Sequence, residues 1–289
     1  MTLLRAMGPL RRPGAGVAGR SRLSGMLRLG LGLVPITVLV FLYQQLAVSK
    51  SRPRIFPQVG DVWDAFYEIL IGHGELGSSY DQIMVTSLRI VSAFAISFVI
   101  GIVIGVAAGR NKLVFSFVEN LVWVFMAVPS VVWVYIMIVG LGLNPVVPPL
   151  AVAATVMPQF IVLVAEGAKS VPDDLVEMAR SYKTSTWQRF TELFLPYLVP
   201  YIIAASRTSF ATAVKIMLVA EVIGTPSGIG FEVSYWDGKL FMGPVIAWGI
   251  TMLLMGLLVD NFIFSPIERR VSGWKSKPID AAETMGAVI

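Results

Sequence analysis

Three ionisable residues, Arg207, Lys215 and Glu221, stand within one long apolar stretch. A second group, Glu177, Ala179, Arg180, Ser181, Thr184, Ser185 and Trp187, crowds a short basic segment between two apolar stretches. An ionised side chain at membrane depth costs roughly 2.5 kcal/mol or more, so such groups face a protein interior or a water-filled path. Lys215 lies near the middle of its stretch, where reaching the interface is hardest, and is expected to meet an anion on a translocation pathway. Arg207 and Glu221 lie nearer the two ends and suit either that pathway or structural pairing. Ser206, Thr208, Ser209, Thr212 and Thr225 make a wet face plausible, with Thr212 assigned to the pathway. Covalent and metal chemistry is poorly served: cysteine is absent, and the single histidine, His73, has no second imidazole or thiolate nearby, so it reads as a solvated loop residue. A membrane-embedded enzyme would need a His, Cys or clustered-carboxylate constellation.

The elements that carry these residues follow from composition. Only 14% of the 289 residues are charged, and the mean hydropathy is +0.75. That is too little charge to cover a soluble surface, so lipid is the solvent for much of the chain. The net charge of +5 does not point to nucleic acid, because the basic residues are scattered between apolar runs with no aromatic-interleaved basic face. Six stretches are long enough to span: Leu29 to Val48, Ile90 to Ala108, Leu121 to Leu141, Val147 to Ala165, Ile202 to Ile223, and Pro244 to Phe264. The first is read as a retained helix rather than a cleaved signal. It has about twenty apolar residues and ends in Tyr43-Gln44-Gln45-Leu46 instead of a small-x-small site. Gly101, Gly105 and Gly109 have tandem small-xxx-small spacing, either for close helix approach or simply because membrane helices are glycine-rich.

Placing both termini in the cytoplasm puts sixteen Lys and Arg on that side and five on the other: Lys50, Arg52, Arg54, Arg89 and Lys239. The expected organisation is a basic segment over residues 1–28, a transmembrane domain over 29–268 with a cytoplasmic loop at 166–196, and a tail over 269–289. The long outer segment from Ser49 to Arg89 contains Val59, Val62, Trp63, Phe66, Ile69 and Leu70 at helical spacing, which predicts an amphipathic surface helix.

In the cytoplasmic loop, Pro172-Asp173-Asp174 makes a good first helical turn. Leu175, Met178, Ala179 and Tyr182 follow as one apolar face. Ser185 and Gln188 have capping-box spacing, so a second short helix is predicted from Thr186, with Trp187, Phe190, Leu193 and Phe194 apolar and Leu195-Pro196 ending it. Two such helices need something to cover their apolar faces: the chain's own helices, the lipid interface or another protein.

Glu177-Met178-Ala179, with Leu193, Leu195 and Pro196 at the closing positions, resembles the EAA loop of ABC-importer permeases. That pattern is E-A-A, three residues, Gly, nine residues, then I-x-L-P. Met178 departs from it, and so does Lys183 at the glycine, where the chain needs either a left-handed conformation costing roughly 1 kcal/mol or a differently shaped turn. Phe56-Pro57, Ser87-Leu88-Arg89, Val128-Pro129-Ser130, Ala220-Glu221 and Gly228-Ile229-Gly230 extend the likeness over roughly residues 50 to 275. Together they resemble the nitrate/sulfonate/taurine/bicarbonate branch of that family.

The resemblance implies an all-α, type I ABC-importer permease-like fold with about six transmembrane helices and both termini inside, in the bacterial inner membrane. It implies a coupling role for the seven loop residues from Glu177 to Trp187. It also implies three kinds of partner: a cytoplasmic ABC ATPase dimer, a second permease copy in a homodimer, and an external substrate-binding protein. ATP and Mg would sit on the ATPase, since this chain has no Walker A pattern and no expected cofactor of its own. Arg207 and Glu221 match charged positions of the branch and Lys215 does not. The substrate implied is a small anion: a sulfonate, nitrate, bicarbonate or an organic acid. A secondary transporter or channel is the alternative, although the acids near the spans are few (Glu119, Glu221, Asp260) and no internal repeat is visible.

Overall fold

The structure is a computed structural model that describes residues 18–50 and 52–272. The arginines at 5, 11 and 12, the lysines at 275 and 277, and most of the tail expected over 269–289 lie outside the described residues. Every regular element among the described residues is helical. In chain order they are α1 (Ala18–Lys50), α2 (Val59–Leu70), α3 (Ser79–Arg110), α4 (Lys112–Ala127), α5 (Ser130–Leu141) and α6 (Val147–Lys169). Then come α7 (Asp173–Ser181), α8 (Thr186–Gln188), α9 (Leu195–Gly224), α10 (Ile229–Gly238), α11 (Met242–Val259) and α12 (Ser265–Ser272).

The described residues divide into two units, one up to Val59 and one from Gly60 onward. Within the first, Tyr43 Oη donates to the Pro57 carbonyl (2.9 Å) and Gln44 Oε1 accepts from the Val59 amide (2.9 Å), folding the stretch around Pro57 back along α1.

In the second unit four helical runs are long and apolar enough to cross a membrane: Ser79–Arg110, Val147–Lys169, Thr186–Gly224 and Met242–Val271. The predicted third span, Leu121 to Leu141, is not one helix. It breaks into α4 and α5, bent by 93°. Val128 is extended (φ −77°, ψ 123°) and Pro129 precedes α5, because a residue before proline is driven out of the α region and proline cannot carry the helical bond. With the bent pair counted as one crossing there are five, and the described apolar part of α1, Val34–Lys50, is shorter than these. Spans two, five and six are longer than predicted, and Arg89 lies inside α3 rather than in an outer loop.

Close packing of α3 on α6 forms the centre of this unit. A Cβ on Gly101 would lie 2.7 Å from Phe160, and one on Gly105 2.7 Å from Val164. Of the two readings of that glycine series, the structure shows close approach. Phe94 adds edge-on contacts to Phe160, Phe210 and Phe264, joining α3 and α6 to α9 and to the stretch after α11.

Two helical runs change register through π-turns, at Arg189–Phe194 and Asp260–Phe264. The first corrects the expected break at Leu195-Pro196. The Leu195 amide bonds to the Phe190 carbonyl, and the helix continues because Pro196 falls in the first turn after the shift, where a missing N–H costs least. α2 forms where the amphipathic surface helix was predicted, with Val62 and Ile69 buried.

Candidate functional site

Three of the sequence tags meet at one point. Glu221, late in α9, is fully buried, and its Oε1 accepts from Arg89 Nη1 at 2.7 Å. Its other oxygen accepts from Thr86 Oγ1 (2.8 Å) and from the Gly230 amide (3.0 Å). Arg89 also donates to the Ser227 carbonyl and hydroxyl, each at 2.8 Å, and to Thr225 Oγ1 at 3.3 Å. The first amides of α10 have no carbonyl ahead of them, as at any helix start. Here Gln82 Oε1 takes the Gly228 N–H (2.6 Å), Thr86 Oγ1 takes that of Ile229 (2.8 Å), and Glu221 takes that of Gly230. A negative charge at this helix start is favourable in its own right.

The glycines follow from that geometry. Gly228 has φ +100°, and a Cβ there would run into the Glu221 carboxylate; one on Gly230 would lie 2.6 Å from the Leu218 carbonyl oxygen. The network therefore ties α3, α9 and α10 into one rigid corner. The sequence reading missed it by assigning Arg89 to a loop. The available signal was a second charge of opposite sign in a neighbouring apolar stretch.

Arg207 sits elsewhere on α9. It makes a bidentate pair with Asp260 (Nε 2.7 Å, Nη2 2.8 Å) and donates through Nη1 to Glu268, linking α9 to α12 across the π-turn. Lys215 is exposed, and no ion pair to it is present among the described residues. It lines a cavity of about 440 Å³ with Arg207, Thr208 and Asp260, between α9 and α11. Thr212 is half-buried and bonds to the Thr208 carbonyl one turn back. Of the four residues assigned to a pathway, Lys215 and Arg207 share this cavity, while Glu221 belongs to the closed corner.

The segment expected to be cytoplasmic forms an elbow. α7 starts after Pro172 and ends at Ser181, and Lys183 has φ +54°, the left-handed conformation that the glycine of the resembled motif would adopt freely. Its amide bonds to the Arg180 carbonyl (2.9 Å) and that of Thr184 to the Ala179 carbonyl (3.3 Å), the double closure of a Schellman turn. The Thr184 hydroxyl adds a bond to the same Ala179 oxygen (2.7 Å). The predicted capping box is present: Ser185 Oγ accepts from the Gln188 amide (3.2 Å) and Gln188 Oε1 from the Ser185 amide (3.0 Å). Ser181 bonds back to the Glu177 carbonyl, and Glu177 and Arg180 are exposed.

The buried face of α7 differs from the predicted one. Val176 is buried, whereas Met178 and Tyr182 are 52% and 78% exposed. The helix meets its own chain through Val176, and Arg110 stacks on Phe194 at 4.6 Å from the ring centre. Met178 and Tyr182 are thus left pointing away, as is Trp187 at 72% exposure.

Residues 97–272 match the family described as binding-protein-dependent transport system inner membrane component. The chain belongs to that family. The permease is 27% identical to the glycine betaine transport system permease protein OpuAB of Bacillus subtilis over 236 residues, covering 80% of this chain and 79% of the relative. SsuC of the same species, whose name refers to aliphatic sulfonates, is 24% identical over 85% of this chain and 87% of its own. The nitrate import permease protein NrtB of a Synechocystis species is 26% identical over 63% and 66%. Among solved structures, the inward-facing MetNI methionine ABC transporter aligns with a TM-score of 0.57 at 19% identity, over 65% of the permease and 93% of the matched chain. An amino acid ABC transporter aligns with a TM-score of 0.55 at 18% identity, over 65% and 92%. The permease is therefore a multi-pass inner-membrane transport component of ABC type, with a type I importer fold. The relatives do not single out the nitrate/sulfonate branch, since the glycine betaine permease is as similar as the sulfonate and nitrate ones.

Proposed function

We propose that this chain is the transmembrane subunit of an ATP-driven importer and that residues 173–194 form its contact with a separate cytoplasmic ATPase. Family membership supports the importer reading. The observation that carries the coupling role is the elbow's exposed apolar group, Met178, Tyr182 and Trp187, flanked by the charges of Glu177 and Arg180. Exposed large apolar residues beside charges along one short, locally closed segment suit a groove in a second protein. The full assembly would comprise two permease copies in a homodimer, two ATPases carrying ATP and Mg, and an external binding protein, with both permease termini in the cytoplasm.

The substrate is a small solute bearing an anionic group. Lys215, on the exposed side of α9 beside Thr208, meets that group, and the relatives' names (betaine, sulfonate, nitrate) all denote solutes that carry one. The nitrate/sulfonate branch is the narrower form of the same reading.

The test is reconstitution of the permease with its ATPase and binding protein in proteoliposomes. Trp187→Ala is expected to lower uptake at least about tenfold, in line with the loss of an anchoring aromatic at an interface, while the permease keeps its melting temperature. Uptake that proceeds without ATP would remove the importer reading and favour a secondary transporter. Unchanged ATP-dependent uptake in Trp187→Ala would remove the elbow from the coupling contact.

A further inference from the structure

Three helix ends meet beside the elbow: the last residue of α3, the first of α4 and the last of α6. They bring Arg110, Lys112 and Lys169 around one cavity of about 380 Å³. Ionic partners there are scarce. The one carboxylate lining the cavity, Asp173, reaches Arg110 only at 4.0 Å, and its side chain is 91% exposed, a pair that water weakens. Lys112 and Lys169 are exposed and form no ion pair among the described residues. Lys169 Nζ rests instead 3.0 Å from the centre of the Phe115 ring. Arg110 also lines a neighbouring cavity of about 270 Å³ with Arg180 and Arg189, and no carboxylate borders that one.

An apolar groove continues from this basic end. Ala108, Phe115 and Lys169 line both the first cavity and a further one of about 290 Å³ between α4 and α6. Its α4 wall climbs from Phe115 through Val118 and Val122 to Met126, roughly 16 Å of helix. That is about half of a ~30 Å hydrocarbon core, the depth of one leaflet. Ile161, Val162 and Ala165 of α6 face it. Glu119 and Glu166 border the groove and are exposed. With Asp173 they set three acids against five bases along the three cavities.

The combination selects the occupant. A free oxyanion would meet the cations and leave the groove unfilled, and a neutral hydrocarbon chain would do the reverse. A molecule with a phosphate at one end and an acyl chain at the other matches both, and basic pockets between spanning helices suit such head groups.

We propose that this corner of the permease binds an anionic phospholipid, with Arg110, Lys112 and Lys169 on its phosphate and one acyl chain in the groove between α4 and α6. The site shares no residue with the cavity of Lys215 or with the outward-facing Met178, Tyr182 and Trp187. It stands independently of the transported solute and of the ATPase contact.

Trp123 lines the groove and is 68% exposed, so it reports on an occupant. Full-length permease in mixed micelles is titrated with phosphatidylglycerol or phosphatidylcholine whose acyl chains carry bromine, a quencher of indole fluorescence. Subtracting the signal of Trp123→Phe isolates that residue. Quenching by phosphatidylglycerol is expected at a lipid fraction at least about tenfold lower than by phosphatidylcholine. One basic residue near an anionic lipid surface is worth about fivefold in binding. Lys169→Gln should therefore cut the preference about fivefold, and Lys112→Gln/Lys169→Gln should bring it near parity. Raised salt should reduce it as well. Because both lysines are exposed, the double variant should melt with the wild type in lipid-free detergent. Arg270→Gln removes a charge from α12, outside the lining of the groove, and should leave the preference intact.

Equal quenching of Trp123 by the two lipids in the wild type overturns the proposal, as does an undiminished preference in the double variant. An equal loss in Arg270→Gln overturns it too, by showing that overall charge rather than this corner attracts the lipid. Phosphatidylethanolamine as effective as phosphatidylglycerol would assign head-group selection to the carboxylates and overturn it. If the double variant instead loses its ATPase and keeps its lipid preference, the basic end is a protein contact and the proposal falls.

Discussion

The Arg89–Glu221 corner and the 173–194 elbow are built on opposite principles. In the corner both carboxylate oxygens of Glu221 and both terminal nitrogens of Arg89 have partners, the two residues are 0% and 7% exposed respectively, and three helices are fixed by side chains far apart in sequence. In the elbow the stabilising bonds are local, between residues at most five apart (Ser185 with Gln188, Thr184 with Ala179), and the large apolar groups face outward. A fully satisfied buried network fixes one arrangement and is costly to disturb. A locally closed turn with an open surface keeps its own shape while leaving its outer face for another molecule. One region sets geometry across three helices, and the other, in the coupling role proposed for it, would receive force.

The largest effect should come from breaking the corner's pairing. Arg89→Ala leaves Glu221 buried and uncompensated, and a loss of about 3–5 kcal/mol is expected, read as a lowered thermal midpoint of the purified permease. The double variant Arg89→Ala/Glu221→Gln removes both charges yet keeps an acceptor for the Gly230 amide, and should recover most of that loss. A double variant as unstable as the single one would mean that the arginine's bonds to Ser227, rather than charge balance, hold the corner.

Much of the elbow was legible from sequence because its forces are local. The capping box of Ser185 and Gln188, the start after Pro172 and the left-handed Lys183 all depend on residues within a few positions of one another. The tag residues of the corner were visible as tags, but their meeting was not, because Arg89 and Glu221 are 132 positions apart and only tertiary packing brings them together. The error at Arg89 had a physical origin. A charge counts as an end marker for an apolar span only when nothing inside the protein neutralises it. The break at Val128-Pro129 was missed for the opposite reason. Hydropathy runs straight through it, while the proline's backbone constraint does not enter a hydropathy sum. The register shifts at 189–194 and 260–264 leave no mark in hydropathy or charge.

A second disturbance of the corner should be smaller. Gly228→Ala places a Cβ against the Glu221 carboxylate at a residue with φ +100°. Backbone strain of this kind costs of order 1–3 kcal/mol, so its thermal midpoint should lie between those of the wild type and Arg89→Ala. Because the added methyl must displace Glu221, the cost should shrink when combined with Arg89→Ala, where the carboxylate is already released. Strictly additive losses would indicate that strain alone, and not the network, is being measured.

The elbow should answer in the reverse direction. Lys183 adopts φ +54° to close the Schellman turn, and for a residue with a Cβ that conformation costs roughly 1–2 kcal/mol. Lys183→Gly removes the strain but adds freedom to the unfolded chain worth about 0.4–1 kcal/mol, leaving a net gain of up to about 1.6 kcal/mol and centred near 0.8 kcal/mol. The gain should not appear in the global melting temperature, because the turn can open locally while the packed helices stay intact. It should appear as slower hydrogen exchange at the Thr184 amide, whose bond to the Ala179 carbonyl is the outer closure of the turn. Exchange at an α3 or α6 amide should stay the same. A change that spreads to those helices would show that the elbow and the corner are one cooperative unit. An unchanged Thr184 amide would show that the left-handed lysine carries no strain, and would remove the contrast drawn between a turn that stores its cost locally and a corner that shares it across three helices.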